Sequence, residues 1–192
     1  MEGYAVARIL NIILLILEVK ALTITIPMHK KKIFIYYTQL SNMMASLAAL
    51  CFVIFGPVPF AEALRYTGEC MLIMTVFVTV CVLIPMGADP KIMLFSGSGK
   101  YVHLLCPLVS TISFFIFENK PQMIWMIIPC GITLVYGLLM LYLNHKGVVE
   151  GPYPFFMVKK QKPKMTVLWI SALMLVTCLI AFGTFFLQRK IL

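Results

Sequence analysis

Six long apolar runs separated by short, mostly basic connections leave this chain one kind of architecture. The runs cover residues 4–26, 34–55, 67–86, 101–117, 123–143 and 165–187. An α-helix needs about 20 mostly apolar residues to cross a bilayer. Transmembrane barrel strands would instead alternate with period two over about ten residues, and these runs do not. Charged residues make up 12% of the 192 and hydrophobic ones 61%, whereas a soluble domain carries roughly 25% charge. Such a chain cannot clothe itself for water. The reading is an all-α polytopic membrane protein, with residues 1–192 forming a single domain of six transmembrane helices in one bundle. The first run is too long, and lacks the small-x-small site, for a cleavable signal peptide. The fourth is short and is expected to sit shallow or to thin the bilayer. An even count puts both termini on one side. The two halves share no motif, which argues against an inverted-repeat transporter.

Charge orients the bundle. Loops 27–33, 87–100 and 144–164 fall on one face, here face B, and with Lys20 they hold Lys30, Lys31, Lys32, Lys91, Lys100, Lys146, Lys159, Lys160, Lys162 and Lys164, most of the 16 basic residues. Arg8, Arg65, Lys120, Arg189 and Lys190 fall on the other face. The positive-inside bias makes face B cytoplasmic in a plasma (inner) membrane, with the termini external. The net charge of +9 calls for no nucleic acid, because juxtamembrane lysines sit against anionic lipid head groups; holding an anionic substrate head group is their alternative use.

The six cysteines lie in or beside apolar runs without C-x-x-C spacing, and no histidine stands near a pair at ligand spacing. They read as small hydrophobes in helix packing, with neither metal nor cofactor expected. Ser96-Gly97-Ser98-Gly99 lacks the Lys-Ser/Thr of a phosphate loop. The small-residue patch at 45–49 suits packing within the bundle or between copies, leaving the oligomeric state open.

Two polar groups stand out. Thr38 lies in Tyr36-Tyr37-Thr38-Gln39-Leu40-Ser41-Asn42, near the face-B start of the second run. Helix N-termini carry partial positive charge and unpaired N–H groups, so an oxyanion formed there can be held. Ser41 and Asn42, at i+3 and i+4, share the Thr38 face and can orient it or donate to an oxyanion; equally, all three can simply bond helix to helix. His103 lies near the face-B start of the fourth run. Intramembrane ionisable groups are costly and are functional candidates, although a neighbouring carbonyl can satisfy an imidazole. Pro107, lacking an N–H, deprives the His103 carbonyl of its helical partner. A hydroxyl and an imidazole at one depth are the parts of a nucleophile and base. Glu18 and Lys20 lie toward the face-B end of the first run, Glu18 able to accept from a partner helix and Lys20 to snorkel. Arg8 and Asn11 read as capping or snorkelling residues, and Glu69 and Glu118 as interfacial and hydrated.

Tyr-Tyr-Thr-x-x-Ser-Asn opening the second run, His-x-x-x-Pro opening the fourth, and Gly151-Pro152-Tyr153-Pro154-Phe155-Phe156 before the last together resemble the androgen-induced and androgen-dependent TFPI-regulating proteins and their bacterial relatives, in order and spacing over roughly residues 5–187. The resemblance implies a six-helix intramembrane threonine hydrolase that cleaves fatty acid esters of hydroxy fatty acids. It places the nucleophile on Thr38, the base on His103, and the loop motif on Tyr153, Pro154 and Phe155. Relatives often carry an acid about ten positions after the histidine, where this chain has Ser113; Glu18 is the expected substitute if an acid is needed.

The mechanism expected is proton transfer from Thr38 to His103, attack on a lipid ester, and hydrolysis of the acyl-threonine by water. Tyr153 and its neighbours would cover the face-B opening. Partners are then membrane lipids and a lipid ester substrate. The rivals are a small-molecule or lipid transporter, a non-catalytic membrane interaction protein, and an acyltransferase using the same acyl-enzyme.

Overall fold

The computed structural model describes residues 2–191, without the side chains of Glu2 and Lys31; the part of the 30–32 lysine cluster that falls on Lys31 lies outside the described residues. The chain is an all-α polytopic membrane bundle. Its helices are α1 (Glu2–His29), α2 (Tyr37–Phe55), α3 (Pro59–Val78), α4 (Pro90–Phe95), α5 (Cys106–Phe117), α6 (Ile127–Lys146) and α7 (Pro163–Ile191). A π-helical turn, Thr79–Leu83, prolongs α3, and another, Tyr101–Leu105, leads into α5. Among the described residues five helical segments are long and apolar enough to span a membrane, and Tyr101–Phe117 is a shorter apolar sixth. Large apolar side chains on their outer faces, among them Ile16, Leu139, Val167 and Leu175, are exposed. So much contiguous exposed apolar surface suits lipid and not water.

Local chemistry sets the ends. Pro59, Pro90 and Pro163 open α3, α4 and α7, the position where a missing N–H costs nothing. Gly147, at φ +75°, closes α6 in the left-handed region. Packing centres on α3, which touches α2, α5, α6 and α7, while α1 packs on α2 and α5. The α2–α3 contact is close because the residues are small: Ala45, Ala48 and Ala49 are fully buried, and a Cβ placed on Gly68 would stand 3.1 Å from the Ala45 Cα. The 45–49 patch thus packs inside the bundle.

The third helix departs most from expectation. It begins at Pro59, not at 67, and carries Arg65 and Glu69 into the protein interior. Arg65 is fully buried, and its guanidinium donates to both carboxylate oxygens of Glu118, the shortest contact being 2.9 Å. Ser110 and Thr111 donate to Glu69 at 2.5 and 2.7 Å. Asn11 and Ser113 donate to Glu118 at 3.0 and 2.6 Å, and Gln188 donates to the carbonyls of Phe114, Glu118 and Asn119. Glu69 and Glu118 are therefore not hydrated interfacial acids, and Asn11 is not a snorkelling cap. They are buried in a polar lock joining α1, α3, α5 and α7 at the end remote from face B. A buried charge survives only when paired and hydrogen bonded, and this arrangement supplies both. Arg8 and Lys20 do lie exposed.

Candidate active site at face B

The chain reaches α2 through a 3-10 turn, Lys30–Ile35, and the extended residue Tyr36, so Thr38 occupies the second position of the helix. His103 occupies the middle of the Tyr101–Leu105 π turn, which ends two residues before Pro107. A proline that cannot donate is a physical reason for the helical ladder to change register there, and single π turns are frequent at functional sites. The two elements are neighbours: the Asn42 side-chain amide donates to the Thr38 carbonyl at 2.7 Å and to the Val102 carbonyl at 3.3 Å. Thr38 and His103 line one cavity of about 560 Å³ at face B, with Gln39, Val102, Leu83, His29, the 96–99 turn and the segment 152–154 also in its wall. No hydrogen bond joins Thr38 to His103; each has another partner.

The partner of His103 is Thr79, whose Oγ1 lies 2.9 Å from the imidazole Nδ1. The Thr79 hydroxyl donates its own proton to the Thr75 carbonyl at 2.8 Å. A hydroxyl has one proton to give, so in this arrangement Nδ1 carries the hydrogen and Nε2 is the basic nitrogen. Among the described residues Nε2 has no hydrogen-bond partner. One helical turn back, the Thr75 Oγ1 lies 2.7 Å from Ser41 Oγ, and Ser41 donates to the Thr38 carbonyl at 2.9 Å. Thr75 and Thr79 thus tie both candidate residues to α3. Ser41 and Asn42 are spent on this bracing, so they orient the Thr38 turn and do not supply free donors for an oxyanion.

Tyr153 stands over Thr38. Its phenol oxygen lies 3.3 Å from the Thr38 nitrogen and 3.3 Å from Thr38 Oγ1. Burial pushes the phenol pKa above its ordinary value, so Tyr153 remains an O–H group. The segment it belongs to is no loose flap. Phe155 and Phe156 are buried with it against Tyr37, Met74, Tyr136 and Met140, and Asn144 both donates to and accepts from Gly151.

Thr38 and Tyr153 also line a second space, a narrow apolar slot of about 50 Å³ running between α2, α3, α6 and α7 past Met74, Val78, Leu134, Gly137 and Leu173. Leu134 and Leu138, on its wall, are exposed on the lipid side. The threonine therefore sits where a cavity open at face B meets an apolar slot facing the bilayer.

Two expected supports lie elsewhere. Ser113 is bound to Glu118 and Asn11 in the remote polar lock, ten residues from His103 along a helix rising about 1.5 Å per residue. Glu18 is buried against Cys106 with Oε1 unpartnered, and it makes no hydrogen bond to His103. The orienting group is the hydroxyl of Thr79, which periodicity could not distinguish from any other threonine of an apolar helix; its only mark is the i+4 spacing from Thr75. Among the described residues no group of three or more His, Cys, Asp or Glu is placed to hold a metal ion. No protein-family model matches the chain, and no curated protein or solved structure matches it either.

Proposed function

We propose that the protein is an intramembrane lipid ester hydrolase of the threonine type, acting on fatty-acyl esters such as fatty acid esters of hydroxy fatty acids. The observation that carries the reading is the position of Thr38, shared between the face-B cavity that His103 also lines and the apolar slot beside the lipid-facing leucines of α6. In the reaction, Tyr153 donates to Thr38 Oγ1, leaving the threonine proton for the base. His103 Nε2 takes that proton through one water in the cavity, since no direct hydrogen bond joins the pair. Oγ1 bonds to the ester carbon and the carbonyl pair moves onto oxygen. Collapse expels the alkoxide, which leaves as the alcohol with the proton from His103. Water, deprotonated by the same nitrogen, then attacks the acyl-threonine and releases the fatty acid, returning the proton to Thr38. The acyl chain lies in the slot, which widens between α6 and α7 to admit it, and the departing alcohol leaves by the face-B cavity.

The order of motifs supports membership of the androgen-induced and androgen-dependent TFPI-regulating family, and the lysine-rich connections support a cytoplasmic face B in the plasma (inner) membrane. A phosphonate probe in liposome-reconstituted protein tests the nucleophile: labelling is expected on Thr38 and lost in Thr38→Ala, while His103→Ala slows ester hydrolysis by about 10²–10⁴. Labelling unchanged in Thr38→Ala removes the proposal. Added lipid alcohol separates a hydrolase from an acyltransferase by its product. The second reading, a transporter, is favoured by the buried Arg65, Glu69 and Glu118, since intramembrane charges often mark substrate paths; liposome flux that survives both Thr38→Ala and His103→Ala would support it.

A further inference from the structure

We propose that the side-chain amide of Gln39 donates the hydrogen bond that receives the carbonyl oxygen of the scissile ester as it becomes an oxyanion. The inference rests on the hydrolase reading and adds to it the group that stabilises charge. Gln39 is 5% exposed, yet its amide makes no hydrogen bond to any described residue and is not sealed among the buried unpartnered atoms. It lines the same face-B cavity as Thr38 and His103. Leaving a buried amide unmatched costs about 1–3 kcal/mol, which is offset when cavity water, or a substrate, meets it.

The other donors of the Thr38–Asn42 turn are committed. Ser41 is bound to the Thr38 carbonyl and Thr75, Asn42 to the Thr38 and Val102 carbonyls, and the Thr38 N–H to Tyr153. Among the described residues no lysine or arginine lines the cavity. Gln39 follows the nucleophile directly in the first turn of α2, where the helix dipole favours negative charge. Its role changes no covalent bond. When Thr38 Oγ1 bonds to the carbonyl carbon, the C=O pair moves to oxygen, and the N–H holds it until the pair returns and the alkoxide departs.

The test compares wild type, Gln39→Met, Gln39→Glu and Thr38→Ala in liposomes, with a fatty-acyl ester and with its thionoester, whose sulfur is a weaker acceptor. Removing one oxyanion donor typically costs about 10²–10³ in kcat, so both Gln39 variants are expected to lose that much with KM little changed, and to lose most of the wild-type preference for the oxygen ester. Gln39→Glu, assayed at a pH where the carboxyl is ionised, keeps the length of the side chain without the donor, and covers the case in which Gln39→Met does not fold. Unchanged kcat in the folded variants, a change confined to KM, or an unaltered ester-to-thionoester ratio overturns the assignment while Thr38→Ala remains inactive. An active Thr38→Ala instead overturns the hydrolase reading itself, and this one with it.

Discussion

The imidazole Nδ1 of His103 and the hydroxyl of Thr79 lie 2.9 Å apart, each residue on a π-helical turn, one leaving α3 and the other entering α5. Because Thr79 passes its proton to the Thr75 carbonyl, it accepts from Nδ1 and leaves Nε2 as the basic nitrogen. In the proposed hydrolase, this neutral hydroxyl would fill the place that a carboxylate takes in a serine triad. It fixes the ring without stabilising an imidazolium by charge, which suits a site where an unpaired ionic group is expensive.

Thr79→Val keeps the shape of the side chain and removes the acceptor. Ester hydrolysis is expected to fall about ten- to a hundredfold, the scale on which loss of an imidazole's orienting partner acts in metal sites. Thr79→Ser, which retains the hydroxyl, is expected to stay near wild type. Steady-state kcat of both variants in liposomes checks the point, and equal activity in Thr79→Val removes Thr79 from the site.

Tyr153→Phe takes away the one hydroxyl that contacts Thr38 from the 147–162 connection. The phenyl ring still fills the aromatic cluster with Phe155 and Phe156, so stability is expected to drop by about 1 kcal/mol, the net worth of a typical hydrogen bond. Probe labelling of Thr38 is expected to slow more than this small change in stability would explain. A thermal melt in detergent alongside the labelling rate separates the two effects.

Much of this arrangement was legible beforehand, for a reason that also marks its limit. Hydropathy fixes depth, and depth alone put Thr38 and His103 at one level. The small residues at 45–49 and the proline four residues after His103 similarly announced close packing and a disturbed helix. Partners across helices follow from which faces meet, which no run of apolar residues encodes. Nothing in the sequence therefore marks Thr79 or Gln39, while Ser41 and Asn42 share the Thr38 face without the freedom their spacing suggests, because hydrogen bonds to α3 and Val102 hold them. Glu69 and Glu118 read as hydrated because charge normally marks a loop; the Arg65–Glu118 pair, and the Ser110 and Thr111 hydroxyls that donate to Glu69, are what let these groups lie inside.

That pairing makes a strong prediction of stability. Glu118→Ala leaves Arg65 buried and charged without its anion, and breaking such a pair costs about 3–5 kcal/mol. The double change Arg65→Met with Glu118→Leu removes both charges together and is expected to recover much of the loss. Melting temperatures of the two variants and the wild type form the test. Since the lock lies at the end of the bundle away from Thr38, kcat per folded molecule is expected to hold in the double variant; a collapse of kcat there would instead tie the charges to function, as the transporter reading requires.

The contact of Gly68 with Ala45 links packing to the placement of Thr38. A methyl group on Gly68 would stand 3.1 Å from the Ala45 Cα and 3.4 Å from its nitrogen, against backbone that cannot rotate away. The helices must therefore part by a few tenths of an ångström. Overpacking of this kind costs about 1–3 kcal/mol, so Gly68→Ala is expected to lower the melting temperature. It should also reduce kcat, because α2 carries Thr38 and is braced to α3 by the Ser41–Thr75 bond only 2.7 Å long. A compensating Ala45→Gly, which clears the Cβ on the facing helix but not the Cα, is expected to restore stability only in part. If Gly68→Ala melts like wild type, the helices approach less closely than 3.1 Å implies, and the bracing of the nucleophile by α3 loses its foundation.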